Sequence, residues 1–297
     1  WNCDTAAFLL KKNMSKYKII ECPRDALQGR PHFVPTDQKI AYYQQLLKVG
    51  FHTLDCGSFV SPKAIPQMAD TANVIDQLDL STTPTKLLVI VANLKGAEMA
   101  CAVEKVSYLG YPFSVSENFQ VRNTRKTIAE SKLVLEQIID LSNAHNKKVV
   151  VYLSMGFGNP YGDPWSVEII SDWVKQLEDM GVGIISLSDT IGAAQVDDIS
   201  ALYSNLIPAH PEIEFGAHFH TQPNAWYPKI HAAYLAGCKR FDGAIKGWGG
   251  CPMAQNELVG NMPTEKLISY LTTHQVLPDL DVLAFESAYN ASHSIFI

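Results

Sequence analysis

The sequence predicts an α/β fold, a single-domain (β/α)8 barrel, on three observations. From Lys18 onward, short β-rich runs alternate with longer amphipathic segments. Several runs are continuously apolar, such as Leu87–Val91 and Val149–Val151, as strands buried on both faces require. About eight strand–helix units over roughly 250 residues is the count that closes a barrel. A doubly wound open sheet is the alternative, but no Gly-rich phosphate fingerprint follows the first strand.

The elements follow in order. Lys18–Cys22 opens the series around the pair Ile19-Ile20, and Thr53–Ser58 comes next. Leu87–Ala92 is the first fully apolar run, with Lys105–Leu109 after it. Val149–Ser154 is the second such run, followed by Gly183–Ser188, Glu214–His218 and Arg240–Ala244. Helices are expected near 36–49, 66–79, 95–101, 124–145, 166–180, 196–207, 224–236 and 264–273, where apolar residues recur at helical spacing. No Pro/Gly/Ser-rich linker or shift of composition divides the chain. Residues 17–276 therefore read as the catalytic barrel, and 277–297, with a weak helical pattern over Asp279–Asn290, as a C-terminal segment packing on it. Met14 directly precedes the first convincing strand. Residues 1–16 thus read as an N-terminal extension, artefactual if Met14 is the natural start.

Composition narrows the function. A chain of 297 residues with 47% hydrophobic residues can bury a sizeable core. Its net charge of −6, with no Lys/Arg block, argues against nucleic acid or an anionic membrane as partner. No apolar stretch approaches the roughly 20 residues of a membrane span. The 6 cysteines form no CxxC pair and read as reduced thiols. The first thirteen residues lack the shape of a secretory signal, so a cytoplasmic location is expected.

A barrel keeps its chemistry at the C-terminal ends of its strands, and polar residues collect there. The first strand runs into Arg24-Asp25, the second carries Asp55, and the fifth ends at Ser154 before a glycine-rich loop containing Tyr161. The sixth ends at Asp189-Thr190, and the seventh at His218 and His220. Two residues apart on a strand, His218 and His220 share a face and can chelate one ion; a pair of separately hydrogen-bonded histidines is the equal alternative. Asp25 and Asn261 would complete a set of mixed nitrogen and oxygen ligands, which favours Mg²⁺ or Mn²⁺, one divalent cation per subunit, over a closed zinc site. Arg24 is suited to stabilising a developing oxyanion; its plainer reading is a local ion pair. Asp189-Thr190 serves equally well as a helix N-cap. Cys251, in Gly247-Trp248-Gly249-Gly250-Cys251-Pro252, lies in a loop able to move over a site, where a thiol can transfer a proton, or is incidental to a turn.

Read together, these segments resemble the hydroxymethylglutaryl-CoA lyases, a family of metal-dependent barrels related to Claisen-type synthases. The matching stretches are Pro23–Gln28, Ser58–Lys63, Pro66–Asp70, Asn93–Gly96, Asn159–Gly162, Ser188–Gly192 and His218–His220. The run Gly249–Ala254 with Gly260-Asn261 and Thr264-Glu265 is the most particular to the lyases. The resemblance covers about Tyr17 to Thr273. It implies Asp25, His218, His220 and Asn261 as metal ligands, Arg24 as the catalytic arginine and Cys251 as the active-site cysteine. Asp25 or His218 is implied as the base, and Gln28, Asp55, Ser154, Tyr161, Asp189 and Thr190 as residues lining the substrate site. It also implies an acyl-CoA substrate, a retro-Claisen cleavage to acetyl-CoA and acetoacetate, and a homodimer.

The chain departs from the family pattern in several places. Two residues separate Glu21 from Arg24 where three are usual. Ala26 replaces the glycine after Arg-Asp, Asp55 stands for the longer glutamate, Thr221 follows His220 in place of aspartate, and Lys266 replaces an acidic residue. A lyase for a related 3-hydroxy-3-acylglutaryl-CoA, a Claisen-type synthase, and a non-catalytic barrel that binds an acyl-CoA or a metal are the alternatives.

Overall fold

Strand β1 (Lys18–Glu21) hydrogen-bonds in parallel to β2 (Thr53–Ser58) on one side and to β8 (Arg240–Gly243) on the other, and that double pairing closes the sheet. Between them run β3 (Lys86–Ile90), β4 (Val106–Ser114), β5 (Lys148–Ser154), β6 (Ile184–Asp189) and β7 (Glu214–Thr221), each parallel to its neighbours. The computed structural model describes residues 17–250 and 259–296. Its closed parallel barrel is the predicted (β/α)8 fold.

Period-two alternation along the strands separates two cores. Leu88, Val150, Tyr152 and Ile184 fill the barrel interior. Leu87, Val89, Val149, Val151, Ile185 and their like face outward and pack under the helices. Those helices are α1 (Pro23–Gln28), α2 (Thr36–Val49), α3 (Thr71–Gln77), α4 (Leu94–Ala102), α5 (Glu117–Thr124), α6 (Ile128–Ala144), α7 (Val167–Asp179), α8 (Val196–Ala209), α9 (Trp226–Leu235), α10 (Thr264–Thr273) and α11 (Val282–Phe296). In α11, Phe285 meets Phe51 and Phe296 meets Tyr42 at ring-centroid distances of 6.4 and 6.0 Å, which seats the C-terminal segment against α2.

The structure differs from the sequence expectation at identifiable points. Strand β4 continues past Leu109 to Ser114, through Gly110 and Pro112. A side chain at 110 would meet Ile90 Cδ1 at 2.6 Å and Tyr152 Cε2 at 3.0 Å; the glycine makes room for Tyr152 inside the barrel rather than breaking the strand. The expected helix 124–145 is α6, which starts later, at Ile128, and the helix before it, α5 (Glu117–Thr124), was not anticipated. Arg125 takes a left-handed φ of 58°, and a capping box of Thr127 with Glu130 starts α6 afresh. The segment 66–79 splits into a 3-10 turn, Pro66–Met68, and α3. Helix α1 and a two-residue strand, β9 (Gly260–Asn261), were not anticipated.

Candidate active site

Helix α1 begins directly where β1 ends. Pro23 occupies its first turn, where a missing N–H costs nothing, so Arg24 and Asp25 are fixed at the strand's C-terminal mouth. All three nitrogens of the Arg24 guanidinium are engaged. Its Nε lies 3.2 and 3.0 Å from the two Asp55 oxygens, and Nη2 donates to Asp55 Oδ2 at 2.6 Å. Nη1 donates to Asp25 Oδ1 at 3.0 Å and to Gln28 Oε1 at 2.7 Å. This bidentate fork holds the planar cation in one orientation. Although one methylene shorter than glutamate, Asp55 reaches Arg24 with both oxygens. Burial lifts the Asp55 carboxyl to about 6 against the pull of Arg24, which leaves it ionised at neutral pH. Burial also pushes Asp25 upward, but Arg24, then His220 and His218, outweigh it and hold that carboxyl well below its usual range.

Strand β7 turns His218 and His220 to the same face, their ring centroids 5.2 Å apart. His220 Nδ1 lies 3.0 Å from the Thr190 carbonyl. A carbonyl only accepts, so Nδ1 carries a proton, and in the neutral ring Nε2 carries the lone pair. Nε2 in turn faces Asp25 Oδ2 at 3.9 Å, and among the described residues neither buried atom has a hydrogen-bond partner. Ligand atoms of Asp25, His218 and His220 lie within 4.8 Å of one another. Two lone-pair-bearing atoms left facing one another in a buried site fit a cation between them. Asn261, on β9, pairs in antiparallel register with His220. Its Nδ2 donates to the Trp248 carbonyl at 2.8 Å, and no hydrogen bond from the described residues engages the amide oxygen, which suits it to act as a ligand.

His218 also belongs to a second group, with Cys22 and Asp242. Burial, and then the surrounding carboxylates led by Asp242, push the Cys22 thiol far up. It stays protonated and is a poor ligand. Within that group the contact of consequence is His218 Nδ1 to Asp242 Oδ2, at 3.1 Å. Asp242 pulls the His218 pKa above the ordinary imidazole value, although burial, the largest influence, acts the other way.

The structure thus brings Arg24, Asp25, Gln28, Asp55, His218, His220 and Asn261 together. Asp189 and Thr190 brace the same mouth. Asp189 Oδ2 lies 2.5 Å from Lys229 Nζ, and Oδ1 accepts from the Ala194 N–H at 3.1 Å. Thr190 Oγ1 accepts from the Met155 N–H at 2.8 Å. Neither caps α8, whose N-cap is Gln195. Ser154 closes β5, and Tyr161 lies on the following loop with the Arg122 guanidinium 4.9 Å from its ring. Among the described residues, no hydrogen bond joins either to the Arg24–Asp25–His220 group. Cys251 lies outside the described residues. Sequence reading missed Asp242 and Lys229. Asp242 had a weak signal: it alternates with Arg240 on a strand, so both point into the barrel. Lys229 Nζ, besides Asp189, reaches the Gly192 and His220 carbonyls at 2.9 Å each, and nothing in its local sequence marks that.

Residues 17–291 match the family profile described as HMGL-like. The chain belongs to this family. A mitochondrial hydroxymethylglutaryl-CoA lyase of Arabidopsis thaliana is 32% identical over 277 residues, 92% of this chain and 58% of that protein; the chain therefore spans less than two thirds of that relative's length. A 3-hydroxy-3-isohexenylglutaryl-CoA/hydroxy-methylglutaryl-CoA lyase of Pseudomonas aeruginosa is 30% identical over 280 residues, covering 92% of the chain and 90% of the relative. Among solved structures, an HMG-CoA lyase from Acenitobacter baumannii in complex with coenzyme A and 3-methylmalate superposes with a TM-score of 0.87. It is 29% identical and covers 94% of this HMGL-like chain and 91% of that one.

Proposed function

We propose that this chain is a divalent-metal-dependent carbon–carbon lyase that cleaves 3-hydroxy-3-methylglutaryl-CoA to acetyl-CoA and acetoacetate. The observation that carries the reading is the buried, mutually facing pair Asp25 Oδ2 and His220 Nε2 beside a doubly anchored Arg24. Asp25, His218, His220 and Asn261 would hold the cation. Two imidazole nitrogens with two oxygens, one anionic and one amide, suit Mg²⁺ or Mn²⁺. When bound, such an ion supplies Lewis-acid polarisation of the substrate oxygens.

The chain's own groups account for the rest. Cleavage of a tertiary alcohol β to a thioester requires removal of the hydroxyl proton while the thioester leaves as an enolate. Asp25, or His218 backed by Asp242, would take that proton, each only through a lone pair that it does not give to the cation. Arg24, held rigid by Asp55 and Asp25, supplies fixed positive charge for the enolate oxygen; such a preorganised donor is worth about 3 kcal/mol in the transition state. Cys251 would return a proton to the enolate carbon.

The experiment is acetoacetate release from 3-hydroxy-3-methylglutaryl-CoA with Mg²⁺ or Mn²⁺, repeated with EDTA. Metal-dependent product is expected. Absence of product in both arms overturns the reading. The Pseudomonas relative's name includes a longer 3-acyl chain, so 3-hydroxy-3-isohexenylglutaryl-CoA is the second substrate to offer. A homodimer is proposed with the family resemblance, and sedimentation reads it. A reducing, cytoplasmic setting suits the free, buried Cys22, Cys56, Cys101 and Cys238.

A further inference from the structure

The two histidines on β7 look alike in sequence but are held differently. His220 Nδ1 rests on a neutral backbone carbonyl, that of Thr190, at 3.0 Å. His218 Nδ1 rests on a carboxylate, Asp242 Oδ2, at 3.1 Å. Asp242 comes from β8, the strand beside β7, and is 2% exposed. Its other oxygen, Oδ1, is buried with no partner among the described residues. Tyr152 packs edge-on to His218 with ring centroids 5.5 Å apart. The ring is thus fixed in angle by an apolar contact and in tautomer by a charge.

We propose that Asp242 is a positioning residue for the cation centre. As a pure acceptor, it keeps the proton on His218 Nδ1 and so presents the Nε2 lone pair toward Asp25 and His220. Its negative charge also strengthens that lone pair as a donor, an influence the Thr190 carbonyl exerts far more weakly on His220. The four ligands of the proposed function are therefore unequal: His218 is the one whose ligating form depends on a specific side chain from another strand. The inference rests on that reading for the cation, but the tautomer part stands on the metal-free protein.

The variants are Asp242→Asn and Asp242→Ala, each compared with the wild-type protein. Asparagine fills the same space, so a merely structural role would survive it. Its amide can turn N–H toward Nδ1, however, which moves the ring proton to Nε2 and blocks the ligating lone pair. Two readouts are taken. Nitrogen-15 shifts of labelled histidine in the metal-free protein report the tautomer. Titration with Mn²⁺, followed by electron paramagnetic resonance, reports affinity without any substrate. We expect Asp242→Asn to lose the Nδ1–H form of His218 and to bind Mn²⁺ roughly 10- to 100-fold more weakly, with alanine no better. An asparagine variant that keeps the wild-type tautomer and the wild-type affinity overturns the proposal. If the wild-type protein binds no Mn²⁺, the cation reading fails instead, and the nitrogen-15 shifts still decide whether Asp242 sets the tautomer. Thermal unfolding of Asp242→Asn verifies that the fold is retained, so the comparison stands even where alanine at 242 prevents folding.

Discussion

Arg24 clasps both oxygens of Asp55 with Nε and Nη2, at distances from 2.6 to 3.2 Å, and the cation cannot swing without breaking that fork. Asp25 and Gln28 hold its remaining edge. A lysine offers one point charge and cannot span the same partners. Arg24→Lys is therefore expected to lower kcat by roughly 100- to 1,000-fold with a much smaller change in KM. Steady-state kinetics decides it: an unchanged kcat removes Arg24 from the chemistry.

Cation binding is readable without turnover. A ligand that binds only the folded state at 100 times its Kd stabilises by about 2.7 kcal/mol. Adding Mn²⁺ should raise Tm in the wild-type protein and leave it nearly unmoved in His220→Ala, because that change removes Nε2 opposite Asp25. An equal rise in both proteins places the ion elsewhere.

Glu21 gives a pH signature in stability. It is buried at the end of β1, accepting from the Ile245 N–H at 2.9 Å and the Thr264 hydroxyl at 2.6 Å. Burial, only partly offset by those donors, pushes its carboxyl up to about 8 from 4.5. The folded state thus keeps the proton after the unfolded chain has lost it. Its contribution is fully present below about pH 4.5, declines as pH rises and is gone by about 8. Glu21→Gln, which resembles the protonated acid, should flatten the fall of Tm between pH 5 and 8 (on the order of a few kcal/mol at its upper end). Parallel pH profiles for the two proteins would contradict the assignment.

Lys229 ties the ends of β6 and β7 through Asp189, Gly192 and His220. Replacing it with Met leaves a buried carboxylate and two carbonyls without their donor. Loss of one partner from a buried pair costs about 3–5 kcal/mol. Lys229→Met should lose stability of that order in urea unfolding, and Asp189→Asn in the same chain should recover part of it. Additive losses in the double variant would show that the two side chains do not act as a pair.

Gly249 presses on α1: with φ +83°, an added Cβ would lie 2.6 Å from Ala26 Cα and 2.7 Å from the Asp25 carbonyl oxygen. Gly249→Ala should displace the post-β8 loop from α1, which carries the proposed ligand Asp25, lowering Mn²⁺ affinity more than it lowers Tm. Unaltered affinity would mean that the loop does not support Asp25.

The barrel was readable in sequence because its signal is local: apolar runs such as Leu87–Val91 and Val149–Val151 report burial without knowledge of their neighbours. Arg24, Asp25, His218 and His220 were readable because strand ends and two-residue spacing place them. Helix α1 was not, since six residues are too few to show a helical period. Strand β9 was hidden for the same reason. The expected strand Lys105–Leu109 stopped short of Gly110 because the large ring that needs the glycine's space, Tyr152, arrives from the next strand. Asp242 and Lys229 were silent because each owes its role to a partner on another element, and one sequence records no such pairing.

The donors proposed for the cation lie far apart in sequence: Asp25 follows the first strand, and Asn261 follows the eighth. They meet only because β1 and β8 are zipped together along four register pairs. A growing or truncated polypeptide could therefore not assemble the proposed centre piecemeal. Metal capture would report that the ring has shut, and a chain cut before its last strand would be recognised by its inability to hold the ion.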